Sequence, residues 1–127
     1  LDLPHLEVYK IFVLSFHPER LKQLRSWLSG RKDLSMTTSG RTKLEIAHAE
    51  VSKGHALQFM ARHLNIPLEN TVAIGDNFND LSMFEVAGIS IAMGNAEEQV
   101  KARSTYVTKT NNENGVAHAL WTYILGK

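Results

Sequence analysis

Two carboxylates and two carboxamides crowd into five positions, Asp76, Asn77, Asn79 and Asp80, within the stretch "TVAIGDNFNDLSMF". Carboxylate oxygens gathered behind a short apolar run suit a hard cation such as Mg²⁺, which takes one or two protein carboxylates and completes its shell with water and phosphate oxygens. The same residue types also cap helices, where a side-chain oxygen accepts a backbone N–H. Taken in isolation, the residues favour the cap. The choice turns on where the chain places them.

"TVAIG" reads as a compact strand, and Gly75 lets the backbone turn sharply after it. In open α/β sheets, ligands bind beyond the carboxyl ends of the strands, so Asp76 stands where chemistry is done. Backbone amides at the start of the following helix help to orient anions there. Around this strand the chain alternates. "SKGHALQFMARHLN" carries Ala56, Leu57, Met60, Ala61 and Leu64 at helical spacing, and Pro67 closes it. A short helix runs through Leu81, Phe84 and Val86 to Gly88, and "ISIAM" forms the next strand. Asn95 followed by Glu98 resembles a capping arrangement for a further helix, and "TYVT" is a brief strand. The last helix starts near Asn114, with Val116, Ala119, Leu120, Tyr123 and Ile124 on one apolar face. Helices alternating with short strands predict parallel crossover units.

The first part of the chain follows another grammar. "VYKIFVLS", Val8 to Ser15, is a strand, and "HPERLKQLRSWLSG" is a helix with Pro18 in its first turn, Gly30 at its end and Leu21, Leu24, Trp27 and Leu28 on one face. "DLSMTT" and "KLEIAHA" form a hairpin around the Ser39-Gly40 turn signal. The boundary falls near residues 47 to 52, with residues 1–47 and 48–127 as two parts.

A chain of 127 residues makes one compact domain or two small lobes. With 43% hydrophobic residues, 21% charged residues and a net charge of +1, it has no basic excess for nucleic acid. Cysteine is absent, which excludes disulfide scaffolds and thiolate metal sites and fits a reducing cytoplasm. No apolar run approaches the roughly 20 residues needed to span a bilayer, so no membrane role is expected.

Lys53 in "VSKG", then "IPLENTVAIGDNFNDLSMFEVAG" and "ISIAMGNA", together resemble the haloacid dehalogenase superfamily, specifically its Cof-like phosphatases with an α/β cap. In that family a lysine opens the helix before the last catalytic strand, and a G-D-x-x-N-D loop follows that strand; here these are Lys53 and Gly75 to Asp80. "GNA" at Gly94 to Ala96 and "NENGVAHAL" at Asn112 to Leu120 resemble the family's closing segments. The resemblance implies an α/β fold, a partial Rossmann-like core of parallel strands and helices in residues 48–127, and the latter part of a cap in residues 1–47. It implies hydrolysis of small phosphomonoesters, such as sugar or cofactor phosphates, through an aspartyl-phosphate. Lys53 then corresponds to the lysine that offsets charge between nucleophile and phosphate, and Asp76 to the Mg²⁺ ligand. Asn79 corresponds to the amide that contacts phosphate, and Asp80 to a carboxylate supporting Lys53 or metal-bound water.

The departure from that pattern is equally specific. The four aspartates are Asp2, Asp33, Asp76 and Asp80, and no pair has the D-x-D spacing of nucleophile and general acid. Together with the opening at Leu1, this leads us to expect the C-terminal half of a phosphatase, inactive alone and completed by its missing N-terminal half or by a second copy. The alternative expectation is a non-catalytic folded module, either a stable remnant or a partner-completed subunit. The six histidines lack H-x-x-x-H spacing, and Arg20, Lys22, Arg25, Arg31 and Lys32 read as a solvated helix face and its exit. Trp27 and Trp121 read as core packing, and Met83 and Met93 as fillers.

Overall fold

The computed structural model describes residues 7–38 and 41–126. They divide into two units, with the boundary after Val51. Each unit follows from its own hydrophobic pattern.

In the first unit, β1 (Lys10–Leu14), β2 (Leu34–Thr38) and β3 (Lys43–His48) form an antiparallel sheet in the order β1-β3-β2. The alternation in β3 decides which face is covered: Leu44 and Ile46 are buried, while Lys43 and His48 are exposed. Opposite them in register lie Val13 on β1 and Met36 on β2, with Leu44 across from Val13 and Ile46 across from Met36. Helix α1 (Pro18–Leu28) lays Leu21, Leu24 and Leu28 on this face. The Ser39-Gly40 turn and Asp2 lie outside the described residues.

Trp27 is a correction. It is 80% exposed and does not pack in the core. At 100° per residue it lies about 120° around the helix from Leu21, beyond the arc that Leu21, Leu24 and Leu28 present to the sheet.

In the second unit, β4 (Val72–Gly75), β5 (Ile89–Ala92) and β6 (Tyr106–Val107) are parallel in the order β4-β5-β6. Central β5 carries Ile91 and Ala92, both at 0% exposure. Helix α2 (Lys53–His63) starts where the Ser52 hydroxyl accepts the His55 N–H at 3.1 Å. It ends as Asn65 turns left-handed at φ 55°. Short helices α3 (Leu81–Phe84) and α4 (Glu98–Lys101) supply Phe84 and Val100 to a core shared with Ala73, Ala92 and Ala96. Met93 is buried and Met83 packs against this core, as expected of fillers.

Asn95 does not cap α4, whose first turn has no side-chain cap. Its Oδ1 accepts the Asn111 N–H at 2.9 Å instead, tying the "GNA" loop to the loop before the last helix. That second loop is held by a reciprocal cap between Thr110 and Glu113. The side-chain hydrogen bond from Thr110, helped by its backbone N–H, keeps the Glu113 carboxyl below its usual range.

The chain ends in α5 (Gly115–Ala119) and a wider π turn over Leu120–Leu125. The expected apolar face is only partly covered: Ala119 is fully buried, whereas Val116 and Leu120 are exposed. Trp121 is 70% exposed, a second correction to the core-packing expectation. The π turn changes the residues per turn, so the 3.6-residue stripe read from the sequence does not carry through it. Tyr123 instead stacks on Tyr106 with ring centroids 4.5 Å apart. Among the described residues no helix is long and apolar enough to cross a membrane.

Candidate functional site

Parallel pairing brings three loops to the carboxyl edge of the second unit's sheet. Gly75 pairs with Ala92, Ala92 pairs with Val107, and Met93 N–H donates to Gly75 O at 2.9 Å. The loop after β4 is therefore fixed to the one after β5. It folds at once into a 3₁₀ turn over Phe78–Asp80 that leads into α3.

Within that turn the two carboxylates do different work. Asp80 is 3% exposed. Its Oδ2 accepts the backbone N–H groups of Asp76 at 2.9 Å and Asn77 at 3.0 Å, while its Oδ1 pairs with the Lys53 ammonium. Asn77 Oδ1 accepts the Phe78 N–H at 2.8 Å, completing a reciprocal cap with Asp80. Capping thus falls on Asn77 and Asp80. Asp76 remains exposed, and its carboxylate has no hydrogen-bond or ion-pair partner among the described residues. Asn79 Oδ1 is buried without a partner there.

Lys53 reaches Asp80 because its helix comes very close to α3. Gly54 N–H donates to Ser82 Oγ at 3.1 Å, and a Cβ on Gly54 would stand 2.2 Å from Ser82 O. Only a residue without Cβ permits that approach. The Lys53 side chain is 49% exposed, so its ammonium, though tied to Asp80, still faces water. The geometry offers a positive charge anchored on a buried carboxylate, beside a loop whose other carboxylate is unengaged.

Sequence reasoning named Lys53, Asp76, Asn79 and Asp80, and the structure places all four on or against this turn. Gly54 and Ser82 escaped notice as parts of the site. A glycine one residue inside a helix was the available signal, since it weakens the helix by about 1 kcal/mol relative to alanine and so marks a close approach.

Gly75 makes a similar demand. A Cβ there would lie 2.5 to 2.6 Å from Asp80 Cβ, Cγ and Oδ2, a side chain pinned by its hydrogen bonds and ion pair. Gly75→Ala should therefore destabilise the chain by about 1–3 kcal/mol, the usual range for an overpacked interior. Urea denaturation checks this; an unchanged midpoint would mean that Asp80 moves freely.

Among the described residues no three His, Asp or Glu side chains gather as a metal cluster. His48 Nδ1 accepts the Glu50 N–H, and the His63 ring stacks on Phe59.

Residues 1–120 match the family described as haloacid dehalogenase-like hydrolase. A 5-amino-6-(5-phospho-D-ribitylamino)uracil phosphatase of Bacillus subtilis is 43% identical, over 98% of this chain and 46% of that protein. The pyridoxal phosphate phosphatase of Escherichia coli is 39% identical, over 68% of this chain and 32% of that protein. Among solved structures, a haloacid dehalogenase-like hydrolase from B. subtilis superposes with a TM-score of 0.88 at 42% identity, over 91% of this chain and 41% of that one. A HAD subclass IIB sugar phosphatase superposes with a TM-score of 0.79 at 27% identity, over 91% of this chain and 43% of that one. The chain thus spans less than half the length of each of these proteins.

Proposed function

Because this chain belongs to the haloacid dehalogenase-like hydrolases, we propose that it carries the lysine and loop-carboxylate half of a Mg²⁺-dependent phosphatase site acting on small phosphomonoesters. The attacking aspartate and its companion acid come from residues outside these 127. The observation that carries this reading is the division of labour between the carboxylates: Asp80 is consumed by Lys53 and two amides, and Asp76 is left exposed and unpartnered. Relatives named for a ribitylamino-uracil phosphate and for pyridoxal phosphate share the phosphomonoester of a small metabolite, and that is the substrate class we assign.

The donors fit a hard cation. Asp76 offers a spare carboxylate and Asn79 a buried, orphaned carbonyl oxygen, both oxygens and neither soft. Bound there, Mg²⁺ would supply charge neutralisation to the phosphoryl oxygens. Lys53 offsets the repulsion between an incoming carboxylate and the phosphate, which would otherwise oppose attack. Asn79 presents its amide N–H₂ to a phosphate oxygen. Asp80 holds the Lys53 ammonium in place and, through the Asp76 and Asn77 amides, fixes the loop that presents Asp76. Residues 1–47 act as part of the cap, and a cytoplasmic setting belongs to the same proposal.

Completion has a structural side. Among the described residues β4 pairs on one edge only, with β5. Its other edge presents unpaired backbone groups to a further strand. We assign that strand to the N-terminal half of a longer polypeptide or to a second copy. The 127-residue chain alone should therefore release no p-nitrophenol from p-nitrophenyl phosphate with Mg²⁺, should bind Mg²⁺ only weakly, and should scatter light as more than one 14.3 kDa chain or carry a second polypeptide. Sustained turnover by a cooperative monomer would overturn both the division of the site and the assignment of the edge.

A further inference from the structure

The basic face of α1 takes on a second meaning once the β2–β3 pair is folded beside it. In the first unit a cavity of about 460 Å³ opens against α1 and the ends of β2 and β3. Buried Leu21 and Leu44 line it, together with Glu19, Lys22, Arg25, Arg41 and Lys43. Lys22 is engaged by Glu19 at 3.0 Å. Among the described residues Arg25, Arg41 and Lys43 have no side-chain hydrogen bond or ion pair. Three unneutralised cations on one concavity repel each other, and an anion seated among them relieves that repulsion. Two of the three are guanidinium groups, whose planar donor forks match phosphate or carboxylate oxygens in pairs. The volume lies in the range of small-molecule sites, roughly 300–1,000 Å³, which combine apolar walls with a few polar groups.

We propose that this pocket binds a small organic phosphate, with its anionic group between Arg25 and Arg41 and its apolar body over Leu21 and Leu44. None of these residues belongs to the Lys53 and Asp76 site, so the pocket stands whether or not the second unit hydrolyses anything. Its cations are exposed, so binding weakens steeply as salt rises.

Phenyl phosphate, which joins a phosphate to an apolar ring, is the probe. Titrated into the ¹⁵N-labelled 127-residue chain at low ionic strength, it should shift the amides around Arg25, Arg41 and Leu44 along one saturable curve. Arg25→Gln combined with Arg41→Gln should weaken binding about tenfold or more, a loss of some 1.4 kcal/mol. Arg20→Gln combined with Lys32→Gln removes the same charge from the same unit and should change it less than about twofold. The spectra report folding directly, and Lys43→Gln serves in its place should the double variant unfold. Absent saturation, shifts confined to residues 75–80, equal weakening by the control pair, or equally tight binding of uncharged phenol would each overturn the proposal.

Discussion

Asp80→Ala should destabilise the 127-residue chain by about 2–4 kcal/mol, whereas Asp76→Ala, four positions earlier, should change stability by less than about 0.5 kcal/mol. The contrast follows from what each carboxylate touches. Removing Asp80 strands the Asp76 and Asn77 amides, releases Lys53 and opens a void at a side chain only 3% exposed. Hydrogen bonds to a charged acceptor contribute about 1.5–3 kcal/mol, the two amides share one carboxylate so their contributions do not add in full, and the half-exposed Lys53 recovers part of its loss from water. Asp76 is exposed and unpartnered among the described residues, so its truncation resembles an ordinary surface change. Parallel denaturant titrations settle the matter. Equal losses for the two variants would show that Asp80 does not anchor the turn.

Catalysis should invert that ranking of visibility. In a polypeptide that carries both halves of the proposed site, Lys53→Ala should lower kcat/KM for a small phosphomonoester by a factor of about 10² or more, the scale for deleting one preorganised electrostatic partner of a transition state. On the role proposed for Lys53, the loss should fall mainly on kcat, because the repulsion to be offset is greatest as an attacking carboxylate approaches phosphorus. Asn79→Ala, which removes a neutral donor, should cost less, about tenfold. Steady-state kinetics with released phosphate as readout would check both. A Lys53→Ala enzyme within threefold of the parent would contradict the role assigned to the ammonium.

The fold was legible where local and tertiary demands agree. Short apolar runs such as "VAIG" and "ISIA", bounded by turn residues, became strands, and the leucines of α1 met the Leu44 and Ile46 face that their spacing called for. The family followed from loop residues in order, and residues 1–120 match it. Legibility failed where a neighbour in space decides. Asn95 looks like a cap by spacing, yet Asn111 from another loop claims its side chain. Trp27 and Trp121 look like core from their places on or beside apolar helical faces but are exposed, and no sequence rule reports the π turn over Leu120–Leu125. At the candidate site, the residue types alone favoured helix capping, and metal and phosphate chemistry was implied by the family resemblance. Which aspartate would be consumed in holding the loop, and which left exposed, required the hydrogen bonds of Asp80.

The central claim is that Asp76, spared from capping, is the carboxylate this chain contributes to a Mg²⁺-dependent phosphatase site. The direct measurement is phosphate release by the longer polypeptide as Mg²⁺ is titrated, comparing Asp76 with Asp76→Ala after both are shown to be equally folded. The account predicts activity that requires Mg²⁺ and a variant that falls by about 10²-fold or more at any Mg²⁺ concentration. Activity indifferent to Mg²⁺, or an Asp76→Ala protein that keeps both its rate and its Mg²⁺ midpoint, would contradict it.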